Sequence, residues 1–353
     1  MTNLPANRIP ERKKRSRGFT ALLIFSNLLL CLALAASVFL TLRSERREDQ
    51  RAAAAMAQAD NLQKELEEAQ SHIDELEATT IPIETFKGYA QQYGIGSEFI
   101  QRFFDDVIVY KDSNGIVYQP IDDTLAKNSY DWQNLTRENG RIHYYPETGP
   151  GALTGIDVST HQGAIDWEKV AADGIDFAMI RLGFRGYGES GVLKLDDRFE
   201  ENLTGAKAAG LKVGVYFFSQ AITVEEGLEE AKLVLDTLQG RELDFPVVFD
   251  QEEIYEADAR TDNLDPSTAS DIAVAFCDAV KDGGYNPMIY ANTRWFVSQM
   301  DFSRLDGYSK WLAQYYRTPF FPYQFQIWQY TSSGSVDGIQ GNVDLNLCFT
   351  TDF

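Results

Sequence analysis

The last 200 or so residues of the chain predict an α/β domain in which eight strands close into a barrel. From residue 153 onward, segments typical of strands alternate with segments typical of helices. The strand-like segments are almost continuously apolar, as in a parallel sheet that is covered on both faces. Eight of them favour closure into a barrel. The predicted strands are 155–159, 177–182, 212–219, 246–250, 287–292, 311–315, 325–330 and 343–347.

Helices are expected only in the first part of this domain. The helical stretches separate the first five strands, whereas the last three strands follow one another with little room for helices between them. The predicted helices are 165–173, 197–209, 223–239 and 267–283.

A basic tail and a long apolar run open the chain. Residues 1–17 hold six Lys or Arg and one acidic residue, and we interpret them as a cytoplasmic tail. Residues 18–42 carry no charge over about 25 positions, which is enough for a helix to span a bilayer. A cleaved signal peptide is the alternative, but its apolar region is usually only about 7–15 residues long. We expect a single-pass anchor in a bacterial cell membrane, with the amino terminus inside and the rest of the chain outside.

The next segment, 43–80, predicts a helical coiled-coil stalk. It is rich in Ala, Glu, Gln and Arg, and small or aliphatic residues recur with alternating spacings of three and four. That spacing is a heptad seam, which can associate with a second copy of the chain. A lone solvated helix is the alternative. The seam residues are Ala52, Ala55, Ala59, Leu62, Leu66, Ala69, Ile73 and Leu76.

Residues 83–150 predict a small α+β segment between the stalk and the barrel domain at 153–353. Residues 85–104 are typical of a helix with a glycine break, and 107–118 predict a hairpin. We find no motif here that carries chemistry.

The net negative charge of the chain argues against a nucleic-acid partner. With 53 acidic and 32 basic residues, the chain has a formal charge of −21, whereas nucleic-acid binding requires a basic surface. The three cysteines and three histidines are widely spaced and contain no CxxC pair. We therefore expect no nucleic-acid partner, no structural metal and no cofactor.

Carboxylates follow several predicted strands at the point where each strand ends. Side chains alternate along a strand, so Asp250 and Glu252 should face the same side. Paired carboxylates on one face are typical of glycoside hydrolases, although a solvated acidic loop is the alternative. Asp157 and Asp344 come from two other strands. The aromatic and amide residues that we expect to bind a saccharide beside them are Tyr216, Tyr290, Asn292, Trp328 and Gln329.

In the order and separation of its motifs, this part of the chain resembles glycoside hydrolase family 25, the Chalaropsis-type lysozymes that cut peptidoglycan. The resemblance implies a TIM-like barrel of the (β/α)5(β)3 type. It also implies an N-acetylmuramidase that acts on peptidoglycan glycan strands without a cofactor. The matching motifs are GIDVS at 155–159, DQE at 250–252, NPMIY at 286–290, IWQY at 327–330 and VDLN at 343–346.

The resemblance also assigns roles to the carboxylates. Glu252 would be the general acid, while Asp250 would orient the acetamido group of the substrate or stabilise the cation that forms. Asp157 and Asp344 would flank the site, and a nucleophilic role for one of the aspartates stays open. Phe217 stands where the family often has histidine, so we expect one polar contact to be missing. Two alternatives to a muramidase are a wall-binding protein without turnover and a structural coiled-coil membrane protein.

Overall fold

The structure is a computed structural model that describes residues 22–32, 34, 48–94, 96–254 and 259–353. The chain divides into two compact units, Met1–Gly88 and Tyr89–Phe353. The predicted basic tail lies outside the described residues, as does much of the predicted apolar span. Residues 22–32 and 34 within that span are helical. In the described ranges, no helix is long and apolar enough to cross a membrane.

The first unit contains the predicted stalk. Helix α1 runs over Glu48–Thr79, and it is followed by α2 at Ile83–Tyr93, within which the division between the units falls. On the seam of α1, Ala69 is buried and Leu62 is half-buried, but Leu66 is 52% exposed. A continuous helix is therefore present over most of 43–80. Its self-association stays a prediction.

The second unit includes a segment that we call the extension, residues 96–150. It holds a short helix, α3 (Ser97–Gln101), and two antiparallel hairpins. The first hairpin confirms the prediction at 107–118. The second turns at Asn139 and Gly140, both with positive φ, and the sequence analysis missed it although Asn-Gly favours two-residue hairpin turns. The hairpin strands are β1 (Val107–Asp112), β2 (Gly115–Pro120), β3 (Leu135–Glu138) and β4 (Arg141–Tyr144).

The barrel follows the extension. Each of the eight predicted strands is present, and pairing of the first with the last closes the sheet. The barrel strands are β5 (Leu153–Val158), β6 (Phe177–Arg185), β8 (Lys212–Ser219), β9 (Val247–Gln251), β10 (Pro287–Asn292), β11 (Ser309–Ala313), β12 (Ile327–Gly334) and β13 (Val343–Cys348), and a short β7 (Leu193–Leu195) pairs with β6. The helices between the first five barrel strands are α4 (Trp167–Ala172), α5 (Phe199–Ala208), α6 (Val224–Leu238) and α7 (Pro266–Asp282).

The direction of β13 differs from the parallel sheet that the sequence predicts. The barrel strands β5, β6 and β8 to β12 are parallel, but β13 is antiparallel to both of its neighbours. The reason is the short connection from β12, which turns straight back and has no crossover helix. As a consequence, Asp344 reaches the mouth of the barrel from the beginning of its strand and pairs in register with Asp157.

Two apolar layers lie on either side of the barrel wall. The inner layer includes Phe177, Met179 and Trp311, all at most 2% exposed. Gly155 allows this packing, because a Cβ at that position would lie 2.2 Å from the ring of Phe177. The outer layer packs against the helices where these are present.

Where the helices are missing, the extension covers the outer face. Tyr130 stacks on Phe349 with ring centroids 4.3 Å apart, and its hydroxyl donates to the carbonyl of Phe325 at 2.7 Å. The ring of Trp132 lies parallel to that of Phe325 and contacts Trp328. The extension therefore shares one hydrophobic core with the barrel.

Candidate active site

The four predicted carboxylates converge at the mouth of the barrel. Asp157 comes from β5, Asp250 from β9, Glu252 from the residues just after β9, and Asp344 from β13. Together they line one cavity of about 230 Å³. The other residues that line it are Ser159, His161, Gln162, Arg181, Tyr216, Phe218, Tyr290, Trp311, Tyr315 and Gln329.

A fixed chain of hydrogen bonds orients Asp157. The indole N–H of Trp311 can only donate, and it donates to Oδ1 of Asn346 at 2.8 Å. The amide nitrogen of Asn346 must therefore point the other way, and it donates to Oδ2 of Asp157 at 2.8 Å. Gln329 donates to the same oxygen at 2.9 Å. Two N–H donors on one oxygen favour the charged form of the carboxylate at that atom.

Two tyrosines fix the second amide in the same way. The hydroxyls of Tyr290 and Tyr315 donate to Oε1 of Gln329 at 2.9 and 2.8 Å. This leaves the amide nitrogen of Gln329 to donate to Asp157. Tyr290 is almost fully buried, whereas Tyr315 is 54% exposed at the rim. The predicted saccharide-binding residues Tyr290 and Gln329 thus lie in the cavity and also hold one of its carboxylates in place.

Asp250 and Glu252 line the same cavity, and the carboxyl group of each affects the pKa of the other. Burial raises the pKa of Glu252 to about 7, while the carboxyl group of Asp250 lowers it and the charge of Asp344 raises it. Burial and then the charge of Glu252 raise the pKa of Asp250 well above its usual range. Oδ1 of Asp250 is buried without a hydrogen-bond partner among the described residues. The pair can therefore hold a proton near neutral pH and offer it to a bound group.

The other two carboxylates have raised pKa values for a similar reason. Burial raises the pKa of Asp344 to about 6. Burial, and then the charge of Asp344 across the strand pair, raise the pKa of Asp157, while its amide donors lower it. Four acids with raised pKa values in one cleft are typical of acid–base catalysis.

The side chain of Gln220 contacts the backbone just after β9. The side-chain amide of Gln220 lies 3.4 Å from the carbonyl oxygen of Glu252, and Thr261 donates to the other end of that amide at 3.0 Å. Glu253 turns away from the cavity to an ion pair with Arg294, at 2.8 Å. The two neighbouring glutamates therefore face different surroundings, which agrees with the expectation that Glu253 lies outside the site.

Arg181, a basic residue of β6, was not among the predicted site residues. It is the one Lys or Arg that lines the catalytic cavity among the described residues. Its guanidinium pairs at 2.8 Å with Asp196, whose side chain is fully buried. The charge of Arg181 lowers the pKa of Asp250 against the larger raising effect of burial. The available signal was a cation within the predicted strand 177–182, whose other residues are apolar.

Two expectations about individual residues need correction, those for Trp328 and Phe217. Trp328 does not line the cavity, because it is fully buried on the outer face of β12, where it contacts Trp132. Phe217 also faces outward, against the ring of Phe276 on α7, so no polar contact to the cleft is lost there. Asn292 lines an adjoining cavity, and its side chain accepts a hydrogen bond from the backbone of Trp295. Tyr216 lies in the cavity as expected.

Comparison with known proteins supports the same fold. The family model "Glycosyl hydrolases family 25" matches residues 156–339. The autolytic lysozyme of Clostridium acetobutylicum is 26% identical over 195 residues, which are 55% of this chain and 55% of that protein. The uncharacterized protein YegX of Escherichia coli O157:H7 is 30% identical over 203 residues, 55% of this chain and 69% of that protein. This chain thus spans about half the length of the autolytic lysozyme.

The fold is also found among solved structures. The spore cortex lytic enzyme SleM of Clostridium perfringens superposes with a TM-score of 0.51 at 22% sequence identity, over 59% of this chain and 70% of that one. A closed barrel with four carboxylates at its mouth fits the class of barrel glycosidases. Within that class, this chain belongs to glycosyl hydrolase family 25.

Proposed function

We propose that the protein is a muramidase that hydrolyses the β-1,4 bond between N-acetylmuramic acid and N-acetylglucosamine in peptidoglycan. The observation that carries this proposal is the convergence of Asp250 and Glu252 with Asp157 and Asp344 in one acidic, aromatic cleft at the mouth of the barrel. Membership of family 25 and the similarity to an autolytic lysozyme support the choice of substrate.

Glu252 is the general acid in this proposal. Its proton passes to the glycosidic oxygen as the bond from that oxygen to the anomeric carbon breaks, and positive charge develops on the sugar ring. The ionised Glu252 then accepts a proton from the water that completes hydrolysis. With a pKa of about 7, Glu252 is about half protonated at neutral pH, so it can give the proton and also take it back.

Asp250 acts on the substrate beside the acid. Its buried Oδ1 has no partner among the described residues, so it is available to the acetamido N–H or to the cation on the ring. Asp157 has one oxygen held by two amide donors, and Asp344 lies across the strand pair from it. These two aspartates therefore stabilise positive charge from the opposite side of the cleft.

The test is the release of new muramic-acid reducing ends from purified cell walls. Replacing the acid by Glu252→Gln should lower the rate by about 100- to 10,000-fold, the usual contribution of a general acid. Glu253→Gln removes the neighbouring carboxylate, which points to Arg294 rather than into the cavity, and it should keep the rate within a few-fold. If wild type binds walls without releasing reducing ends, the protein is a wall-binding module and the enzymatic proposal fails.

The proposal extends to the amino-terminal part of the chain. We infer that residues 18–42 anchor the protein in the cell membrane, with the barrel on the outer side, because this run is uncharged and long enough for a bilayer. The 32 residues of α1 would then form a stalk of about 50 Å. Its partly exposed heptad seam would join two copies of the chain.

Membrane fractionation tests the anchor, and cross-linking tests the seam. The full chain should sediment with membranes, and deletion of residues 18–42 should release it. Leu66→Pro should abolish the cross-linked dimer while cell-wall hydrolysis continues. A full chain that stays in the supernatant refutes the anchor.

A further inference from the structure

The catalytic cavity continues into a second cavity, of about 470 Å³, and the extension forms one wall of it. Glu252, Tyr290 and Tyr315 line both cavities. The second cavity is also lined by Tyr110 and Lys111, from the strand β1 of the extension. Part of this surface therefore lies outside residues 156–339, the region that matches the family.

Contacts between α3 and the loop after β11 hold this wall in place. The hydroxyl of Tyr316 donates to Oγ of Ser97 at 2.8 Å. The backbone N–H of Arg317 donates to the carboxylate of Glu98, also at 2.8 Å. The same loop carries Tyr315, which is shared by both cavities. The extension thus fixes the rim next to the catalytic acid.

The charge of the second cavity is opposite to that of the first. Although the chain carries a formal charge of −21, two cations, Lys111 and Arg294, line the second cavity. Lys111 is exposed, and its side chain makes no ion pair with another described residue. Arg294 is half-buried and pairs with Glu253 through one of its nitrogens. Apart from the shared Glu252, no described acidic residue lines this cavity.

We propose that this second cavity binds the carboxylate-bearing peptide that substitutes the muramic acid residue next to the cleaved bond. The inference rests on the proposed muramidase function and adds a subsite for the peptide. Lys111 and Arg294 match the carboxylates of such a peptide through charge-assisted hydrogen bonds. The rings of Tyr110 and Tyr316 offer apolar contact for its short side chains.

Two forms of one substrate distinguish recognition of the peptide from recognition of the sugar. Glycan chains with their peptides, and the same chains after an amidase has removed the peptides, are hydrolysed by the full-length protein at several concentrations. Lys111→Glu should lower kcat/KM on the peptide-bearing chains by about tenfold, mainly through KM, since one charge-assisted contact is replaced by repulsion. On the peptide-free chains it should change kcat/KM by less than about twofold.

Two further variants act as controls. Lys232→Glu changes the net charge by the same amount on the exposed face of α6, and both substrates should be cleaved as by wild type. Lys111→Arg keeps the cation and should retain the preference for the peptide-bearing chains. Equal effects of Lys111→Glu on both substrates, or no effect, would overturn the peptide subsite and leave the muramidase proposal standing. A wild-type protein that cleaves neither substrate overturns both.

Discussion

Replacement of the proposed acid by Glu252→Gln should stabilise the folded protein above neutral pH while it removes activity. In the folded state the pKa of Glu252 is about 7, raised from an ordinary value of 4.5 mainly by burial. Between these two pH values the folded state holds a proton that the unfolded state has released. The free energy of unfolding therefore falls as the pH rises from about 4.5 to about 7.

The size of this effect follows from the shift. The pKa of Glu252 rises from 4.5 in the unfolded state to about 7 in the folded state. Once the pH is above 7, this difference lowers the free energy of unfolding by about 3 kcal/mol, at about 1.4 kcal/mol for each pH unit. Glutamine carries no charge at any of these pH values, so the variant avoids this cost. It should be more stable than wild type by up to about 3 kcal/mol at pH 8 and by less than about 0.5 kcal/mol at pH 4.

Urea unfolding of the purified protein, followed by tryptophan fluorescence at pH 4, 6 and 8, measures the difference. Asp236→Asn is the control, because this carboxylate lies exposed on α6 and pairs only with Lys232 among the described residues. Its effect should be small and independent of pH. A Glu252→Gln variant whose gain in stability is equal at all three pH values would refute the reasoning, because the burial of a charge would not be its cause.

Two other predictions concern the pH dependence of the rate and the cover of the barrel. The rate of wall hydrolysis should fall as the pH rises above about 7, because Glu252 then loses the proton that it donates, and a pH–rate profile that stays flat to pH 9 would exclude this acid. Trp132→Ala should lower the free energy of unfolding by about 2 kcal/mol, since the ring packs against Phe325 and Trp328. Urea unfolding followed by circular dichroism measures this, with the exposed Tyr187→Ala as the control, and equal small effects would contradict the role of the cover.

The sequence predicted the strands and the carboxylates of the barrel well, because both depend on local patterns. Apolar runs bounded by turn residues mark strands, and alternation correctly placed Asp250 and Glu252 in one cavity. The same alternation, applied strictly, would have excluded Trp328, which is next to Gln329 and must face the other way. The error arose because both faces of β12 are buried, so hydrophobicity alone does not separate inside from outside.

Other features depend on contacts between distant parts of the chain. The closure of the barrel depends on the pairing of β13 with β5, almost 200 residues earlier in the sequence. Likewise, the docking of Tyr130 against Phe349 joins segments that have no common local pattern. The Asn-Gly turn at residue 139 was a readable signal of a hairpin, but nothing in its sequence indicates which surface that hairpin covers.

The missing helices of the barrel explain why the extension matters for both stability and the site. A barrel whose last strands have no helices would expose the apolar outer face that carries Trp328, and the aromatic residues of the extension cover that face. Because β11 to β13 also form one side of the mouth, a segment that covers them lies within reach of the cleft. The same stretch of chain therefore supplies Trp132 to the core and Lys111 to the wall of the second cavity. If both roles are correct, Trp132→Ala should weaken the fold, whereas Lys111→Glu should change the choice of substrate without weakening it.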